Sequence, residues 1–117
     1  MRILLEKRLI NLALSVDGLC KRLEKNYFSA HLTTQIIRSS TAAALNYGEA
    51  QAAESKKDFI HKVSVVQKEL RETKVCLELL SDSIKEGSKP QLFQCKDECD
   101  QLIAIFHKTI MSAIKNG

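Results

Sequence analysis

Proline occurs once in 117 residues and glycine four times, and neither gathers into a run. A sheet protein of this length needs a turn every few residues, and turns draw on those two residue types. Their scarcity argues against a many-stranded fold and for long helices. Tryptophan is absent, and four Phe and two Tyr leave few rings on which a nucleobase could stack. No apolar run approaches the 18 or more residues that a membrane span requires. The opening Met1-Arg2-Ile-Leu-Leu is broken at once by Glu6, Lys7 and Arg8, too short for the apolar core of a signal peptide. The chain is therefore expected to be cytosolic with no membrane partner, and Cys20, Cys76, Cys95 and Cys99 to be reduced thiols.

Chemistry-bearing motifs are also missing. There is no Gly-rich phosphate loop, no nucleophile elbow and no Glu-x-x-His pair of the di-iron bundles. His31, His61 and His107 stand in no triad pattern. Cys95 and Cys99 lie one helical turn apart, but zinc asks for four ligands, or three and a water, and no ligand set closes by spacing. The expectation is a chain that is not an enzyme, binds no metal and carries no cofactor.

What is present is ordinary in bulk, at 44% apolar and 27% charged, and fits one domain over residues 1–117. The net charge of +4 is unevenly spread. Residues 1–26 carry six basic and three acidic side chains, whereas residues 27–54 set Arg38 against Glu49 and Glu54.

Four apolar series run along the chain. In the first, about residues 2–26, Leu5, Leu9, Leu12, Val16, Leu19 and Leu23 alternate spacings of four and three, the seam of a bundled helix. Asn26-Tyr27-Phe28-Ser29 is a turn, with Tyr27 and Phe28 expected over the bundle end and Ser29, Thr33 or Thr34 as cap. The second helix, about residues 30–53, is dense in small side chains, among them Ser39, Ser40, Ala42, Ala43 and Gly48, which let neighbouring backbones approach closely. Ser55-Lys-Lys-Asp58 resembles a capping box that opens a third helix over about residues 55–87. Phe59, Val63, Val66, Leu70, Thr73, Leu77, Leu80 and Ile84 form its stripe, and Gly87 is its expected C′ residue. Ser88-Lys-Pro90-Gln91 starts a fourth helix, about residues 89–115, with Leu92, Cys95, Cys99, Leu102, Ile103, Phe106, Ile110 and Ala113 inward. Four helices joined by short turns predict an all-α, antiparallel up-down-up-down four-helix bundle.

Two sets of polar residues invite a role. Arg38, Asn46, Glu49, Glu69 and Glu72 are positioned to form a polar network between the second and third helices, since a charge removed from water needs a partner. Arg8, Lys21, Arg22, Lys25, Lys56, Lys57 and Lys62 are the candidate nucleic-acid contacts, in a backbone-led mode with weak sequence preference. Tyr27, Phe28 and Tyr47 are the rings counted as available to bases.

The run Gln35-Ile-Ile-Arg38-Ser-Ser-Thr, then Asn46-Tyr47-Gly-Glu49-Ala50, then Ala53-Glu54-Ser55-Lys-Lys-Asp58-Phe59-Ile60-His-Lys62 resembles the bacterial four-helix bundle proteins known as 23S rRNA intervening-sequence proteins. Lys68-Glu69-Leu-Arg71-Glu72-Thr73 continues the pattern. The resemblance is carried by residues 32–80; the first and last helices share only periodicity. Ile37 and Ala44-Leu45 depart from it, standing where many relatives have a second arginine and a proline–serine pair. The resemblance implies a ring-like homopentamer with a central channel, acting through assembly and partner binding. A related group, the accessory proteins of diversity-generating retroelements, implies the alternative of an RNA-binding accessory protein with basic surfaces on the ring.

Overall fold

A computed structural model describes residues 2–116, with side chains from Leu4 onward, so the Arg2 side chain lies outside the description. The chain forms α1 (Arg2–Cys20), α2 (Tyr27–Gln51), α3 (Lys56–Leu80) and α4 (Lys89–Lys115), with short 3-10 turns at Ser81–Ser83 and Glu86–Ser88. No strand occurs among the described residues. Each helix packs on its neighbours in sequence and α4 closes back on α1. The result is an all-α bundle 47 Å long and 22 by 20 Å across.

The seams were written in the spacing of the apolar residues. Leu5, Leu9, Leu12, Val16, Leu19 and Leu23 are all buried, as are Val63, Val66, Leu70, Thr73, Leu77, Leu80 and Ile84. Leu92, Cys95, Cys99, Leu102 and Phe106 complete the interior from α4, while Ile103 and Ile110 pack against it from the margin. Tyr47 is also interior, at 3% exposure, its ring edge-on to Phe106 with centroids 5.3 Å apart. It is therefore withdrawn from the rings that could meet a base, a correction to the expectation above.

Helix ends depart from expectation in several places. α1 stops at Cys20 rather than near residue 26, because the chain tightens, with Arg22 N donating to Leu19 O and Leu23 N to Cys20 O. Glu24 N then donates to Ser83 O, tying this turn to the one after α3. α2 begins at Tyr27, and its cap is Asn26 rather than Ser29, Thr33 or Thr34. Asn26 Oδ1 accepts from Ser29 N at 2.9 Å, while Ser29 Oγ accepts from Asn26 N at 3.1 Å. Asparagine caps as well as serine does, and a serine three residues on completes the reciprocal pair. Tyr27, at 92% exposure, and Phe28, at 51%, point away from the bundle end instead of covering it.

α3 is shorter than its apolar stripe. It ends at Leu80, where Ser81 Oγ donates to Glu78 O and Lys89 Nζ to Ser81 O, so side chains take over the carbonyls of the last turn. Ile84 continues the buried stripe from extended backbone. Gly87 sits in the second 3-10 turn with no positive φ, so it is not the left-handed C′ residue expected. At the start of α3, Ser55 Oγ does accept from Asp58 N, at 3.0 Å. At the start of α4, Ser88 precedes the helix but its side chain makes no capping bond, although Pro90 stands in the first turn as anticipated.

Candidate assembly surface

Close approach of α2 and α3 follows from the small side chains on α2. Ser39, Ser40 and Ala43 are buried there, and Ser39 Oγ lies 2.7 Å from Thr73 Oγ1 of α3 in a fully buried hydroxyl pair. Thr73 donates to Glu69 O at 2.9 Å, which leaves the Ser39 hydroxyl to donate to Thr73, so neither hydroxyl is stranded.

Just outside this pair stands a charge cluster. Arg38 Nη1 donates to Glu69 Oε2 at 3.3 Å, and its Nη2 is bonded to the Glu72 carboxylate. The Glu69 side chain is 7% exposed, so Arg38 supplies the counter-charge for a carboxylate withdrawn from water. Bonding to Glu69 first, and then to Glu72, holds the arginine proton more firmly than usual. Glu69 Oε1 is buried and has no hydrogen-bond partner among the described residues. The other two members of the anticipated network lie apart from it. Asn46 Nδ2 donates to Ala42 O of its own helix at 2.8 Å, and Glu49 pairs with Lys62 at 2.7 Å.

The candidate nucleic-acid contacts do not gather into one surface. Lys21, Arg22 and Lys25 sit where α1 turns into α2, while Lys56, Lys57 and Lys62 sit at the opposite end of the 47 Å bundle. Several are already engaged. Arg8 forks onto Glu98 with bonds of 2.9 and 2.7 Å, which raises the arginine's pKa, and Glu49 does the same for Lys62. Lys21 lies 3.1 Å from Asp17, and Arg22 Nη1 donates to Gln91 Oε1 at 2.6 Å. Lys25, Lys56 and Lys57 are exposed.

Between α1 and α4 the bundle is looser. A polar groove of about 490 Å³, lined in part by Asn11, Ser15, Arg22 and Gln91, runs along that seam. Long side chains bridge it, including Gln91 Nε2 to Ser15 O at 3.3 Å. Cys95 and Cys99 stay inside, burial pushing their thiols up to about 11 and about 12. All four cysteines are free, and among the described residues no group of three or more His, Cys, Asp and Glu side chains could hold a metal ion.

The surface least expected from the stripes lies on the outer side of α1 and α2. Ile10, Leu14 and Leu45 are 45%, 63% and 68% exposed. With Ala13, Thr41 and Ala44 they line a groove of about 390 Å³. The Thr41 hydroxyl is engaged with Ile37 O, at 2.7 Å, so the groove offers aliphatic surface and little else. Arg38, Thr41 and Leu45 follow one another at helical spacing on α2, so the charge cluster stands along the same stripe as the aliphatic face. The signal was in the sequence: Ile10 and Leu14 stand four residues apart, off the buried seam of α1.

The family model for the 23S rRNA-intervening sequence protein matches residues 4–108. The chain belongs to the 23S rRNA-intervening sequence protein family. It is also similar to the crystal structure of a protein of unknown function from the S23 ribosomal protein family of Bacteroides thetaiotaomicron. That similarity has a TM-score of 0.77 at 26% identity, and spans 91% of this chain and 97% of the other. No curated protein matches the chain. Among the described residues no helix is long and apolar enough to cross a membrane.

Proposed function

We propose that this 23S rRNA-intervening sequence protein acts as a non-enzymatic, self-assembling scaffold whose copies meet over the aliphatic face of α1 and α2. One observation carries the reading: Ile10, Leu14 and Leu45 stand exposed side by side around a groove without free polar groups. Contiguous aliphatic surface of this kind is unfavourable in water and is relieved by burial against apolar surface of another copy. Arg38 and Glu72 border the face with fixed charges, which suits a polar rim around an apolar contact. A ring-like homopentamer, the arrangement implied by the resemblance, would seat this face on a different surface of the next copy, head to tail, until the ring closes.

Light scattering coupled to size exclusion tests the reading. The protein should run at a multiple of 13.2 kDa, and Leu14→Glu with Leu45→Glu should return it to a helical monomer. Nucleic acid that copurifies and leaves at high salt would favour the alternative, an RNA-binding accessory protein in which Lys21, Arg22 and Lys25 are repeated around a ring.

A further inference from the structure

Charge and apolar surface coincide at the end of the bundle where α2 passes to α3 and α4 finishes. Residues 2–8, 49–62 and 104–116 carry eight Lys and Arg against four Asp and Glu, while the rest of the chain has ten of each. Setting aside Arg2, whose side chain lies outside the description, and Arg8, which is paired with Glu98, this end keeps six cations against four anions. Lys56 and Lys57 open α3, are exposed, and enter no ion pair among the described residues. Cations in the first turn of a helix oppose its dipole, and with Asp58 the one acidic side chain of that turn against two lysines, a further anion is favoured there. The same two lysines line a groove of about 460 Å³ whose other walls are Ile60 of α3 and Ile114 of α4. Ile114 is 55% exposed, and Met111, one turn before it, is 51% exposed.

We infer that this groove docks an acidic amphipathic segment of a partner protein. An aliphatic anchor of the segment enters between Ile60 and Ile114, and its flanking carboxylates meet Lys56 and Lys57. The chemistry favours a peptide over a nucleic acid. A phosphate backbone would leave the aliphatic walls in water, and no aromatic residue lines the groove for a base to stack on. A helix with apolar residues on one face and carboxylates beside them satisfies both walls and lysines. This site lies on α3 and α4, away from the proposed assembly face, so either can fail without the other.

Fluorescence anisotropy with a labelled helical peptide of leucine and glutamate, titrated with the full chain, tests the inference. The peptide should bind, and a polyglutamate of equal charge should bind about tenfold more weakly. Lys56→Glu combined with Lys57→Glu should weaken the leucine–glutamate peptide at least about tenfold, and the solvent-exposed change Ile114→Ser about threefold. Circular dichroism melting of each variant confirms that it folds. Equal binding of polyglutamate, of single-stranded RNA of the same charge or of phosphatidylserine vesicles overturns the proposal. So does unchanged binding by the double-lysine variant.

Discussion

Between α2 and α3 the innermost polar contact is two hydroxyls 2.7 Å apart, flanked by Ala43 and a carboxylate almost removed from water. Between α1 and α4 the bundle is bridged instead by arginine and glutamine reaching across a groove of about 490 Å³. The first seam is close because its side chains are short, and it has little room to relax. The second is open, and flexible side chains close it. Small residues set the separation of two helices, and long polar ones bridge whatever separation remains. The seams should accordingly answer differently to the same kinds of change.

The largest effect is expected from filling the tight seam. Ala43 is fully buried, so Ala43→Leu should lower stability by about 1–3 kcal/mol, read from urea unfolding. A neutral result would mean that α2 and α3 are not held as closely as described.

Next comes the removal of one arginine from each seam. Arg38→Ala leaves Glu69, 7% exposed, with only the more distant Lys68, at 4.0 Å, as counter-charge, whereas Arg8→Ala leaves Glu98, 28% exposed, with water at hand. Thermal melting should fall further for Arg38→Ala than for Arg8→Ala, and the reverse order would show that the α1–α4 ion pair is the more deeply desolvated one.

Much of this contrast was written in the chain, and the rest was not. The seam positions follow from a period near 3.6, and the slim profile of α2 follows from Ser39, Ser40 and Ala43. Arg38 with Glu69 and Glu72 was anticipated, since opposite charges on facing stripes of successive helices have few other partners. Pairs such as Arg8 with Glu98 and Lys74 with Asp100 were not, because they join residues whose facing depends on how α4 closes the bundle. Helix ends were misplaced where local bonds decided them. Asn26 with Ser29 started α2 early, and Ser81 with Lys89 stopped α3 before its apolar stripe ran out. The aliphatic face of α1 and α2 is masked in the sequence by the stronger buried stripe, since Ile10, Leu14 and Leu45 fall between its positions.

A smaller effect concerns pH. Burial raises the Cys95 and Cys99 thiols from 9.0 to about 11 and about 12, so the folded chain keeps protons that the unfolded chain has lost. Stability contributed by these neutral thiols is fully present below the ordinary thiol value. It declines as pH rises from about 9 toward about 12. Cys99→Ala should flatten this alkaline fall in melting temperature relative to the unsubstituted chain. The Lys62–Glu49 pair weakens at high pH in both proteins and cancels from the comparison, whereas Lys74, paired with Asp100, also feels the Cys99 charge and contributes to the difference.

The smallest change tests the open seam. A methyl group at Gly18 would meet only Gln91 Nε2, at 3.6 Å, an ordinary contact. Gly18→Ala should therefore stabilise α1 by about 0.5–1 kcal/mol. A loss of stability would show the α1–α4 seam to be as tightly packed as the α2–α3 seam.

The most direct test of the assembly account is the mass of the protein in solution, measured over a range of concentrations with and without Leu14→Glu and Leu45→Glu. The account predicts an oligomer several times 13.2 kDa that the paired substitution dissolves into folded monomers. A monomer at every concentration, or an oligomer indifferent to both glutamates, would contradict it.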